Sequence, residues 1–138
     1  MIVLDTGPLV AALNNRDKHH DACARLLRTH PGPLLVPSTV VTEVCQLVER
    51  RQGSKAEAAF LQSFGSGLAL VDLVSEDLAC MSRLVETYAS LPLGAVDASV
   101  VAIAERLDIT EVATLDRRHF TVVRPAHVSS LILLPEEL

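Results

Sequence analysis

An α/β fold with a short, largely parallel central sheet is what this sequence predicts. Three observations carry the prediction. Short apolar runs read as buried strands. Segments with apolar residues at helical spacing separate them. Clusters of Gly, Pro, Ser and Asn near Asn14–Lys18, His30–Pro33, Gly65–Gly67 and Ser90–Gly94 punctuate the chain. Strands that alternate with helices are joined by crossovers, and crossovers make neighbouring strands parallel.

Ile2–Asp5 reads as a first strand, apolar on both faces. Thr6, Gly7 and Pro8 turn into a short helix through Asn14, with Pro8 suited to a first turn. His19–His30 is a second helix with Ala22, Leu26 and Leu27 inward. Leu34–Val36 is a short strand closed by Pro37. Ser38 or Thr39 then caps a helix to about Arg51, in which Val40, Val44 and Leu47 recur at helical spacing. Ser54–Phe64 is a helix, Leu68–Leu73 a strand, and Ser75 caps a helix to about Ala89. Val96–Leu107 is a helix with Val100, Ile103, Ala104 and Leu107 inward. Glu111–Leu115 is a strand followed by a turn at Asp116–His119. Thr121–Val123 and Leu131–Leu134 are weaker late strands.

At 138 residues the chain predicts one domain with a core of its own. Its 49% apolar and 21% charged residues exclude intrinsic disorder. No apolar run reaches the ~18 residues of a membrane span. MIVLDTGPLV carries no basic leader and is interrupted by Asp5, so the expected compartment is the cytoplasm. Cys23, Cys45 and Cys80 are widely spaced and form no CxxC pair, which suits reduced buried thiols rather than a disulfide framework or a structural zinc site. The net charge of −5 argues against a simple basic nucleic-acid binder. Aromatic residues, 3% of the chain, are too few for a base-stacking platform.

Four acids stand out because apolar segments surround them. Asp5 closes the first strand in VLDTG, Glu43 lies within TVVTEVCQL, Asp97 opens the late helix in LGAVDASVVA, and Asp116 follows a strand in VATLDRRHF. Asp5 and Asp116 fall at strand carboxyl ends, where open α/β sheets bind ligands. Asp97 falls at a helix amino end, and Glu43 follows Ser38 closely enough to reach the same edge. Each also has an ordinary reading. Asp97 could cap its helix, Asp116 could begin a polar turn, Asp5 could form an Asx turn, and Glu43 could be a partly exposed side chain. Together they say more. Converging carboxylates repel in a low-dielectric cleft, and a hard divalent cation relieves the repulsion. Such an ion activates water and offsets charge on a phosphate. A site of carboxylates with no histidine ligand points to Mg²⁺ or Mn²⁺ rather than Zn²⁺. With these four acids committed to metal, the rest of the chain is nearly neutral, and a phosphodiester substrate is no longer excluded.

Around the acids, Thr114 stands two residues before Asp116 on a strand, so its hydroxyl can orient a carboxylate or a water from the same face. Thr6 has a similar place beside Asp5. Most basic residues read as solvated helix faces, but Arg117 and Arg118 adjoin Asp116 and are expected to hold a phosphate backbone. His19 and His20 make a poor acid–base dyad because adjacent helical residues diverge, and His119 is distant from them in sequence. Gly65-Ser66-Gly67 precedes a strand and is no phosphate loop.

VLDTGPLVAAL, TVVTEVCQLVERR, LGAVDASVVAIAERL and VATLDRRHFTVVRP together resemble the PIN-domain nucleases, and within them the VapC-type toxins of bacterial toxin–antitoxin pairs. The resemblance runs over essentially the whole chain. It places that family's acidic quartet on Asp5, Glu43, Asp97 and Asp116. It implies a three-layer α/β/α sandwich, Mg²⁺ or Mn²⁺ dependence and endonucleolytic cleavage of RNA. It also implies a homodimer and a small antitoxin that blocks the site. Some relatives carry a further acid just after the third; here Ala98, Ser99 and Val100 follow Asp97, so that ligand is absent. In the mechanism this suggests, Asp5, Asp97 and Asp116 bind one or two ions while Glu43 completes the site or positions the attacking water.

Two other functions fit an acidic strand edge. One is a Mg²⁺-dependent phosphohydrolase or phosphoacceptor domain. A dehalogenase-like pattern wants a second acid two residues after the first, where this chain has Gly7. A receiver-like pattern wants a strand-end lysine, and none is evident. The other is a catalytically inactive module that only binds a partner. Metal-dependent RNA cleavage separates all three.

Overall fold

The structure, a computed structural model, describes residues 1–138. Ile2–Leu4 form β1, and all three side chains are fully buried. Successive residues of a strand face opposite ways, so both faces of the sheet are covered here. β2 (Leu34–Pro37) pairs with β1, and β3 (Leu68–Val71) lies outside β2. β4 (Glu111–Ala113) pairs with the other side of β1, and β5 (Ile132–Leu134) lies outside β4. The order is β3-β2-β1-β4-β5, and every neighbouring pair is parallel.

Helices make every crossover. α1 (Thr6–Ala12) and α2 (His20–Thr29) lead from β1 to β2. α3 (Ser38–Gln52), α4 (Ser54–Gln62) and a 3₁₀ turn at Ser63–Gly65 lead to β3. α5 (Ser75–Thr87) and α6 (Ala95–Arg106) lead to β4, and α7 (Arg117–Val122) precedes β5. The first two connections step one way along the sheet and the last two step the other way. Right-handed crossovers then put α1–α4 on one face and α5–α7 on the other, a three-layer α/β/α sandwich. The direction reverses between β1 and β4, and the carboxyl ends of those strands border the crevice where such sheets bind ligands.

α6 carries the centre of the core. Ala98–Ala104 are buried without a break, and the helix packs on β1, β2 and β4. A helix apolar all round belongs inside a protein. Its last residue, Arg106, is tied to α5. The Nε donates to Asp77 Oδ1 at 3.0 Å and Oδ2 at 3.1 Å, and a second nitrogen donates to the Asp72 carbonyl at 3.1 Å. Asp77 is 2% exposed. Arg106→Ala is therefore expected to destabilise the fold by about 3 kcal/mol, because it strands a buried carboxylate; urea unfolding measures it. No helix is long and apolar enough to cross a membrane.

Several expected boundaries move. Thr121–Val123 is not a strand: Thr121 and Val122 end α7, and the expected turn at Asp116–His119 is its start. The Asp116 side chain accepts the His119 N–H at 3.0 Å, and that cap outweighs the β preference of three β-branched residues. Ser38 and Thr39 do not cap α3, which begins at Ser38 with Pro37 at the cap position. Ser75 likewise lies inside α5, and Asp77 accepts the Val74 N–H at 3.0 Å.

Candidate metal centre

Each of the four acids comes from a different segment. Asp5 follows β1 and stands at the N-cap of α1; Glu43 is in α3; Asp97 is in the first turn of α6; Asp116 caps α7. The fold brings their charges together. The carboxylates of Asp97 and Glu43 act on Asp5, and that of Asp116 acts on Asp97.

Asp5 is 6% exposed. Its backbone N–H donates to the Ala113 carbonyl at 2.9 Å, which seats it at the end of both β1 and β4. Burial pushes its carboxyl up to about 6, and the charges of Asp97 and Glu43 push the same way. The Thr6 amide and the Thr114 hydroxyl oppose the rise by hydrogen bonding. Thr114, fully buried, links two of the acids: its hydroxyl donates to Asp5 Oδ2 at 2.8 Å and accepts the Asp116 N–H at 2.9 Å. The Thr6 hydroxyl is buried beside Asp5 and has no hydrogen-bond partner. Gly7 admits the β4–α7 turn: a Cβ there would lie 3.2 Å from the Leu115 Cβ.

Burial also raises the Asp97 carboxyl, and the Asp116 charge adds to the rise; the His119 ring counteracts it. His119 is the residue that sequence reasoning set aside. Its Nδ1 donates to Asp97 Oδ2 at 2.8 Å and lies 2.8 Å from Asp116 Oδ2. One donor atom from each of Asp97, Asp116 and His119 falls within 4.8 Å of the others. The expectation of an acidic cluster without histidine is thus corrected. The signal was its place three residues after a helix-capping aspartate, which returns a side chain toward the cap.

The two arginines part company. Arg117 was expected on a phosphate backbone, but its guanidinium donates to the Leu133 carbonyl at 3.2 Å and to the Pro135 carbonyl. Burial lowers its pKa, and its Nε is buried without a partner. Arg117 ties α7 to β5 and is not free for RNA. Arg118 is exposed. A cleft of about 490 Å³ lies elsewhere, lined by Asp77, Cys80, Arg83, Glu105, Arg106 and His127 among others. Within it Arg106 pairs with Asp77, and the Cys80 thiol donates to Glu105 at 3.3 Å.

The PIN domain family model matches residues 2–124. The chain belongs to the PIN-domain family. This PIN domain is 30% identical over 135 residues to Ribonuclease VapC26 of Mycobacterium tuberculosis, an alignment covering 97% of the chain and 100% of the relative. Its fold is similar to that of M. tuberculosis VapC20, a sarcin-ricin loop cleaving toxin, with a TM-score of 0.80 at 19% identity over 94% of this chain and 99% of that one. It is also similar to a chain of a toxin–antitoxin complex from Klebsiella pneumoniae, with a TM-score of 0.71 at 17% identity over 96% of this chain and 100% of that one.

A donor set of carboxylate oxygens with one imidazole fits a divalent cation. The orphaned Thr6 hydroxyl beside Asp5 agrees with a site built to take a further polar group.

Proposed function

We propose that this PIN domain is a VapC-type endoribonuclease toxin that hydrolyses RNA phosphodiester bonds with a divalent metal ion. What supports the reading is that the Asp97 and Glu43 charges act on Asp5 and the Asp116 charge acts on Asp97, in a chain related over 97% of its length to a ribonuclease. Asp5, Asp97, Asp116 and Glu43 would hold the ion, either Mg²⁺ or Mn²⁺. Bound there, the ion would supply charge neutralisation for the phosphodiester and a lowered pKa for water.

The chain's own groups divide the remaining work. Thr114 fixes the Asp5 carboxylate and the Asp116 backbone together, so that two ligating groups keep their spacing. Thr6 offers a free hydroxyl at the same corner. Glu43 is half-buried and orients the attacking water, holding the proton that water gives up. Arg118, exposed beside Asp116, steadies the RNA backbone. Arg118→Gln is expected to raise KM for RNA severalfold with little change in stability, and Arg117→Gln to lower the melting temperature instead. The partners this reading implies are RNA, a small VapB-like antitoxin and a second copy of the chain, in the cytoplasm.

The test is cleavage of a total RNA pool by purified chain freed of copurified protein, with Mg²⁺, Mn²⁺ or EDTA. Discrete fragments that appear only with metal are expected. Folded protein that binds Mn²⁺ and cuts no RNA would move the reading to phosphate transfer or partner binding.

A further inference from the structure

We infer that His119 is a nitrogen ligand of the divalent ion and makes this site prefer Mn²⁺ to Mg²⁺. The inference rests on the metal-site reading above and goes beyond it by naming the residue that selects the ion.

The geometry is that of donors awaiting one centre. His119 Nδ1 lies 2.8 Å from Asp97 Oδ2 and 2.8 Å from Asp116 Oδ2. Neighbouring donors of an octahedron with bonds of ~2.1 Å stand ~3.0 Å apart. Two sides of the triangle are therefore already close to coordination size. An imidazole that merely orients a ligand needs one acceptor; this nitrogen reaches two acids from two separate helices, α6 and α7.

The ring is also held in place. The His119 side chain is 18% exposed. Its backbone N–H is held by Asp116 Oδ1 at 3.0 Å, and its neighbour Phe120, 2% exposed, anchors α7 in the core. None of the other four histidines shares a hydrogen bond or ion pair with any of the four acids. His20 and His127 bond backbone carbonyls, and His30 pairs with Glu111. Coordination uses the Nδ1 lone pair, which the ring presents in its Nε2–H tautomer.

The consequence for selectivity follows from donor chemistry. Carboxylate oxygens suit Mg²⁺ and Mn²⁺ alike, whereas imidazole favours first-row transition ions over a hard cation such as Mg²⁺. One nitrogen among oxygens tilts the site toward Mn²⁺.

The experiment loads the full chain with one equivalent of Mn²⁺ and records its electron spin-echo modulation in frozen solution. Modulation from a directly bound nitrogen is expected, and it should change to the ¹⁵N pattern in protein labelled at histidine, a test that needs no variant. His119→Asn keeps an N–H that can donate to the carboxylates but removes the ring nitrogen as a ligand. In that variant the modulation should vanish. Mn²⁺ affinity should fall about tenfold or more while Mg²⁺ affinity changes less than about twofold. A thermal melt checks that the variant folds. Bound Mn²⁺ with no nitrogen modulation in the wild type overturns the inference and leaves the metal site standing. Equal loss of both affinities in His119→Asn makes the ring an orienting group and overturns it as well. Failure of the chain to bind Mn²⁺ at all overturns this inference and the metal-site reading together.

Discussion

Asp97→Asn is expected to lower RNA cleavage on the order of 1,000-fold while leaving the metal-free protein at least as stable as the wild type. The two effects share one cause. Burial holds the Asp97 carboxyl above its ordinary range, and the Asp116 charge pushes it further. Without metal that negative charge is a burden on the fold, and an isosteric amide removes it. The amide oxygen still accepts the hydrogen bond that His119 Nδ1 now gives to Asp97 at 2.8 Å, so the first turn of α6 keeps its partner. What is lost is the charge that a cation needs. A melting series in EDTA should therefore place the variant at or above the wild type. Adding Mn²⁺ should raise the wild type past it, since a ligand stabilises only the state that binds it. Undiminished cleavage by the variant, with metal present, would remove Asp97 from the mechanism.

The second large effect concerns pH. The Asp5 carboxyl moves from an ordinary 3.8 to about 6 in the folded chain, chiefly because it is buried. Folding then binds a proton more tightly than the unfolded chain does. The stabilisation from that proton is complete below about pH 4 and is lost as the pH rises through about 6. The shift corresponds to about 3 kcal/mol, as an order of magnitude. Asp5→Asn has no such proton to lose. In EDTA, the unfolding free energy of the wild type relative to Asp5→Asn should therefore fall by about 2.5 kcal/mol between pH 4 and pH 7. Urea titrations at the two pH values measure it, and parallel behaviour of the two proteins would contradict the burial argument. Saturating Mn²⁺ at pH 7 should restore the wild-type stability, because the cation then replaces the proton.

The parts of this fold that could be read from the sequence are those where one force dominates. β1 is a run of three buried apolar residues, and α6 is buried from Ala98 to Ala104 with Ser99 its one polar member. Both declare themselves through burial alone. The four acids could be picked out for the converse reason, since a charge inside such segments has to be accounted for. α7 could not be read that way. Its Thr-Val-Val end favours a strand, and only the bond from the His119 amide to Asp116 starts the helix. Arg117 adjoins Asp116 in sequence, yet its acceptors on Leu133 and Pro135 come from a later segment that no local pattern reveals. His119 is hidden for the same reason: its partner Asp97 lies 22 residues away at the start of another helix, and only the fold brings the two together.

The strand order has a bearing on how the protein is made. β1 leaves the ribosome first, but one of its two edges stays unpaired until β4 follows at Glu111–Ala113. Only then can the Asp5 N–H donate to the Ala113 carbonyl and its carboxylate accept the Thr114 hydroxyl, and Asp116 comes later still. At ~5 to 20 residues per second, the nascent chain spends several seconds with its acids scattered. A chain that stops before Glu111 therefore lacks one of the four acids and the strand that seats another. β4, made late, is the piece that draws the first-made and last-made of these acids to one place.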